Sequence, residues 1–261
     1  MFSKVFIFNH AIGRLFFKFL KHAGRLFFFL FDSVLGAFKP PFYLKQIFQQ
    51  FLQIGYFSLP VVGLTAIFSG MVLALQSYTG FSRFSAEGAV ATVVVLSITR
   101  ELGPVLAGLM VAGRIGASMA AEIATMRVTE QIDALTTLST DPLKYLVFPR
   151  LIAGVLMLPV LVLVADCIGV LGGYLVAVYK LDFNGSNYLH QTWTFLEVQD
   201  VVSGLIKASV FGLIICLMGC YQGYNSKRGA AGVGRATTNA VVSASILILF
   251  MNYALTALLF H

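Results

Sequence analysis

Charge is scarce in this sequence. Asp, Glu, Lys and Arg make up 11% of its 261 residues, where a soluble domain carries roughly 25%. The shortage runs the whole length. It excludes a globular domain with a single anchor and points to a polytopic membrane protein. Acids are the scarcer sign, 11 against 18 Lys and Arg. In a membrane protein the resulting +7 reports basic cytoplasmic loops and no nucleic-acid partner. Cysteine is nearly absent too. Cys167, Cys216 and Cys220 lie in apolar stretches, and their odd number argues against a disulfide framework. Cys216 and Cys220 share a helix face with no His or acid nearby in sequence, so no metal site is expected there.

Several motifs are also missing. The chain has no Gly-x-x-x-x-Gly-Lys-Ser/Thr loop, so it does not itself bind ATP that way. It has no Gly-x-Ser-x-Gly and no His-Glu-x-x-His. The glycines at 229–234 follow an apolar run and read as a flexible cytoplasmic loop. Basic residues are threaded through the N-terminal apolar run without a small-residue cleavage site, so no secretory signal is expected.

What is present is a series of membrane-length apolar runs. Residues 1–45 are Phe-rich and basic. Arg14, Lys18, Lys21 and Arg25 share one side of a helix, which predicts an interfacial helix facing anionic lipid, ended by Lys39-Pro40-Pro41. Its Phe content, in place of serine, speaks against a mitochondrial-type targeting peptide. Residues 46–261 hold five predicted spans, at about 51–75, 89–113, 151–179, 201–224 and 236–260. The expected fold class is thus an all-α polytopic membrane protein. Pro60 is expected to kink the first span. The charged stretch 114–150 reads as a loop carrying its own helix, at about 121–135, and Asp141-Pro142 as the cap that starts the next element.

Of the 18 Lys and Arg, 14 fall on the side shared by the N-terminus and the 114–150 and 225–235 loops, and two on the other. The N-terminus is therefore expected in the cytoplasm and the C-terminus, His261, on the far side. Small residues recur every fourth position from Gly108 to Ala124 and from Gly204 to Cys220, which predicts close helix packing in lipid.

The second span is broken by Arg100-Glu101-Leu102-Gly103-Pro104. Each charge at mid-membrane costs about 2.5–3.5 kcal/mol on insertion scales. Pro104 also removes the amide that would reach the Arg100 carbonyl. Three polar features at one depth predict a water-accessible cavity. With Lys207 added, the charges sum to +1, which suits an anionic ligand such as a phosphate headgroup. The competing reading is an interhelical ion pair, with Lys207 snorkelling to the outer interface. Adjacent residues point about 100° apart on a helix, so Arg100 and Glu101 are not expected to face one partner. Asp166 pairing with Lys207 is left open.

Further residues carry a resemblance. Arg100 to Pro104, Ala112-Gly113-Arg114-Ile115-Gly116-Ala117, Ala121-Glu122-Ile123, Met126-Arg127, Thr129-Glu130-Gln131 and Asp141-Pro142-Leu143 closely resemble the MlaE/YrbE family of lipid ABC-transporter permeases. Gly70 to Leu73 and Gly234 to Thr238 fit as well. The resemblance implies a homodimeric permease in the bacterial inner membrane. It implies work with a separate ATPase that binds the ATP, a small STAS-domain protein and a hexameric periplasmic MCE-domain protein. The complex would move phospholipid between inner and outer membranes and help keep the outer membrane asymmetric. By the same resemblance, Arg100, Glu101 and Lys207 line a central cavity near Leu73, Tyr78 and Leu102. The 121–135 helix, with Glu122, Met126, Arg127, Glu130 and Asp133, docks on the ATPase. Asp166 is outside the family pattern. Two rivals remain: a membrane-embedded lipid-modifying enzyme, for which no nucleophile or metal cluster is visible, and a purely structural subunit.

Overall fold

The computed structural model describes residues 2–37, 43–84 and 86–259, without the side chains of residues 2–16, 18, 19, 37, 84 and 87. Lys39, Pro40, Pro41, His261 and the side chains of Arg14 and Lys18 lie outside it, so half of the predicted basic face does too. Every element among the described residues is helical.

Five helical stretches are long and apolar enough to cross a membrane: Leu44–Phe81, Val90–Val128, Leu143–Tyr179, Val198–Tyr224 and Ala230–Leu259. All five overlap the predicted spans, and the first three are considerably longer than predicted. Before them, α1 (Phe2–Ala37) packs Phe29 edge-on against Tyr221, 5.5 Å between ring centres.

The first stretch is α2 (Leu44–Ile54), a tight turn at Tyr56–Ser58, and α3 (Leu59–Phe81). The break sits at the turn, and Pro60 follows it in the first turn of α3, where proline's missing amide costs nothing. The second stretch is α4 (Val90–Ser97), α5 (Gly103–Val111) and α6 (Ala117–Val128), joined by wide i→i+5 turns at Ile98–Leu102 and Ala112–Gly116. The helix therefore runs on through Arg114, where a loop is expected. Arg114 reaches back to the turn just before α3, donating to Ser58 Oγ at 2.9 Å, so its charge does not force the chain out of the helix.

The predicted 121–135 helix is two helices. α6 stops at Val128, Glu130 adopts φ 60°, and α7 (Gln131–Thr137) starts in a new direction. A left-handed residue cannot continue a right-handed helix. Asp141 does cap the next element, its Oδ1 accepting the Leu143 amide at 2.9 Å. A third wide turn, Leu143–Val147, leads into α8 (Phe148–Tyr179).

A short helix, α9 (Gly185–Phe195), precedes α10 (Val198–Tyr224), and α11 (Ala230–Leu259) ends the described chain. Asn184 caps α9. Burial pushes the Tyr188 hydroxyl of α9 up to about 12.

α10 is the central post, packed against α5, α6, α8 and α11. Its small-residue stripe makes this possible. A side chain on Gly212 would collide with the Gly154 carbonyl of α8, and one on Gly204 with the Thr99 carbonyl. Ala208, Cys216 and Cys220 are fully buried along the same stripe. Backbones in contact replace the hydrophobic drive that lipid cannot supply.

Candidate functional site

The wide turn Ile98–Leu102 is built by its sequence. The Gly103 amide bonds the Ile98 carbonyl five residues back, and Pro104 has no amide to offer the Arg100 carbonyl. That freed carbonyl is filled from another helix. Lys207 Nζ of α10 donates to it at 2.8 Å and to Glu101 Oε1 at 2.7 Å. Lys207 is fully buried, so it does not snorkel. A sealed ammonium is tolerable because each bond answers one of its donors.

Arg100 pairs with Asp200 in the first turn of α10, Nη2 to Oδ1 at 2.6 Å. Asp200 Oδ2 also accepts the Glu197 amide, closing a capping box. Asp200 and Lys207 stand seven residues apart, about 10 Å along one face of α10. Arg100 and Glu101 therefore both face α10, contrary to the expectation from their adjacency, because each takes a partner two turns from the other's.

Glu101 is completed from α11. Asn252 Nδ2 donates to its Oε2 at 2.8 Å, and Thr256 Oγ1 lies 3.0 Å from its Oε1. The four charges cancel, which corrects the +1 inferred from three. The burial is uneven. The α10 partners are sealed, whereas the Arg100 and Glu101 side chains keep 35% and 37% of their surface.

The apolar candidates do not join this quartet. Leu102 lines a recess between α3 and α5 with Thr65, Ser69 and Leu106, with room for about one water molecule. Leu73 and Tyr78 pack on a separate cluster around Ala74, Val90 and Val94, with Tyr78 edge-on to Phe183. Asp166 does not pair with Lys207. It is buried against Gly103, and its Oδ1 has no hydrogen-bond partner among the described residues.

At the other end of the bundle, Arg127 bonds Asp133 at 2.8 Å across the α6–α7 elbow. Glu130 lies 3.6 Å from Arg228, and both are exposed. Met126 is half-buried on the core, beside the fully buried Ile123 and Ile132. Glu122 does something different. It pairs at 2.9 Å with Arg150 of α8, whose side chain is 4% exposed.

A family model described as Permease MlaE matches residues 47–258. The chain belongs to the MlaE permease family. It is 36% identical over 254 residues to the intermembrane phospholipid transport system permease protein MlaE of Haemophilus influenzae, covering 97% of each chain. It is 64% identical over 251 residues to a probable ABC transporter permease protein of Rickettsia felis, covering 96% of this chain and 97% of the relative. A probable ABC transporter permease protein of Synechocystis is 41% identical over 217 residues, 83% and 82% of the two chains. This MlaE-family chain is a multi-pass membrane transport subunit, not an enzyme.

Sequence reasoning missed four residues of this permease. Asp200 carries no obvious signal beyond its place before the fourth span, although Glu197-x-x-Asp200 is a capping-box spacing and Asp200 precedes Lys207 by two helical turns. Asn252 and Thr256 stand one turn apart in an uncharged run, a polar pair facing inward. Arg150 was counted only as a loop cation.

Proposed function

We propose that the chain is the permease subunit of an ABC transporter that moves phospholipid between the inner and outer membranes and helps keep the outer membrane asymmetric. Two copies pair in the bacterial inner membrane, with N-termini in the cytoplasm and C-termini in the periplasm. A lipid-binding cavity lies between them. A separate ATPase supplies the energy, docking at the α6–α7 elbow where Arg127, Glu130 and Asp133 are grouped. A small STAS-domain protein and a hexameric periplasmic MCE-domain protein complete the complex.

One observation carries the reading of the site. Arg100 and Glu101 are held by sealed partners on α10, yet each keeps about a third of its surface open. A purely structural subunit also needs its charges paired, but has no use for leaving them open in a span. The open cation suits a phosphate, and the open acid stands beside it. Leu73, Tyr78 and Leu102 are then lipid-contacting positions flanking the cavity.

The test is ATP-driven phospholipid transfer by the complex purified with its neighbours. Arg100→Ala and Glu101→Ala are each expected to lower transfer by about tenfold or more, the loss of one charge-assisted contact. The ATPase is expected to stay bound. Unchanged transfer in both variants would overturn the cavity assignment. No co-purifying ATPase would overturn the transporter assembly itself.

A further inference from the structure

α9 is tethered to the membrane edge by its own connections. It lies between two spans, with five residues linking it to α8 and two linking it to α10. Two extended residues reach only about 7 Å, so α9 stays at the end of α10.

Its faces differ in kind. Tyr188 and Thr192, one turn apart, are 3% and 6% exposed, with Tyr188 packed on Ala91 and Ala177. About a quarter turn around, Leu189 and Trp193 are 44% and 74% exposed. The remaining side carries Ser186, Asn187, His190 and Thr194. Phe195, at the end of the helix on the Tyr188 side, is exposed as well, and α10 opens with its own exposed apolar row, Val198, Val202 and Ile206 at four-residue intervals. Those three form the outward surface of a membrane span. The apolar flank of α9 thus stands two residues from the head of a surface that lipid covers, while its other flank is polar. Helices with this division lie in the headgroup boundary, where tryptophan is favoured.

We propose that α9 lies in the headgroup boundary of the adjacent leaflet, with Leu189 and Trp193 turned into the upper acyl region, and that it sets the depth of the charged quartet. Asp200 follows Phe195 by five residues and sits in the first turn of α10. The Arg100–Asp200 pair therefore stands just inside that boundary. The Glu101–Lys207 pair lies about 10 Å deeper. The quartet opens toward the leaflet that α9 marks, and not at the bilayer midplane. The occupant of the apolar flank is phospholipid, in place of a second copy or a partner's helix. This inference needs only that the chain span a membrane, so it stands or falls separately from the proposed transport.

Trp193 is the only tryptophan, so fluorescence excited at the red edge, where the tyrosines do not absorb, reports α9 alone. The chain would be reconstituted in phosphatidylcholine vesicles brominated either near the headgroup or near the chain terminus. Bromine near the headgroup is expected to quench Trp193 about twofold more than bromine near the terminus, with little quenching by aqueous iodide. A His190→Trp substitution in a Trp193→Phe background moves the reporter to the polar flank and should reverse the pattern. Iodide quenching of Trp193 without bromolipid quenching would put α9 in water. Protection from both quenchers would put it under protein, such as a second copy. Stronger quenching from the chain terminus would sink it toward the midplane. Each of these three results overturns the proposal.

Discussion

Two ion-pair sites in this chain use the same rule for different ends. On the α6 side of the elbow, Arg150 of α8 is sealed against Glu122. At the wide turn, Asp200 and Lys207 are sealed against Arg100 and Glu101. Each pair has one buried and one open member. At the elbow the open member is a lone carboxylate at the end of a span, and the pair ties α6 to α8. At the wide turn the open members are a cation and an anion side by side, inside a span, beside Asn252 and Thr256. Burying a charge is tolerated wherever a partner fits. Leaving two opposite charges open within a membrane helix is the departure that calls for a ligand.

The elbow should be the more sensitive to loss of a partner. Glu122→Leu leaves Arg150 buried without its carboxylate and should cost about 3–5 kcal/mol, read as a lower melting temperature in detergent. The exchange Glu122→Arg with Arg150→Glu should recover most of that loss. Lys207→Met should come next. It strips Glu101 of its cation and the Arg100 carbonyl of its donor, lowering stability by about 2–4 kcal/mol, with transfer abolished. Glu101→Gln keeps the size and removes the charge. It leaves the sealed Lys207 beside a neutral amide, so its stability loss should be about 2–4 kcal/mol, and transport assays of the protein that remains folded should show a drop of about tenfold or more. Glu130→Lys should leave the melting temperature unchanged, because an exposed pair at 3.6 Å contributes about 0–1 kcal/mol. Its effect should appear only as weaker recovery of the ATPase in pull-downs.

The five spans were legible because apolar runs of that length with so few charges have few other uses. Their ends were less so. Arg114 reads as an exit from the membrane, but its guanidinium finds Ser58 and the helix continues. The elbow at Glu130 was invisible, since nothing in Thr129-Glu130-Gln131 demands a left-handed residue. Pro104 announced a freed carbonyl at Arg100, and the structure supplies Lys207 to it. Asp200 and Arg150 escaped notice for one reason. Their partners lie 100 and 28 residues away, and pairing over such separations is set by helix packing, not by local spacing. The net charge of the site was misjudged as a result.

The sharpest measurement is ATP-driven phospholipid transfer by the exchange variant Glu101→Lys with Lys207→Glu, beside the matching exchange at Glu122 and Arg150. Both exchanges keep an ion pair across the same helices. The elbow exchange should transfer lipid nearly as well as the native chain. The exchange at the wide turn also removes the donor to the Arg100 carbonyl, so it should melt lower; the folded fraction should assemble and hydrolyse ATP yet lose transfer, because the charge offered on the open side is reversed. Native-level transfer from that variant would mean that Glu101 and Lys207 only join helices.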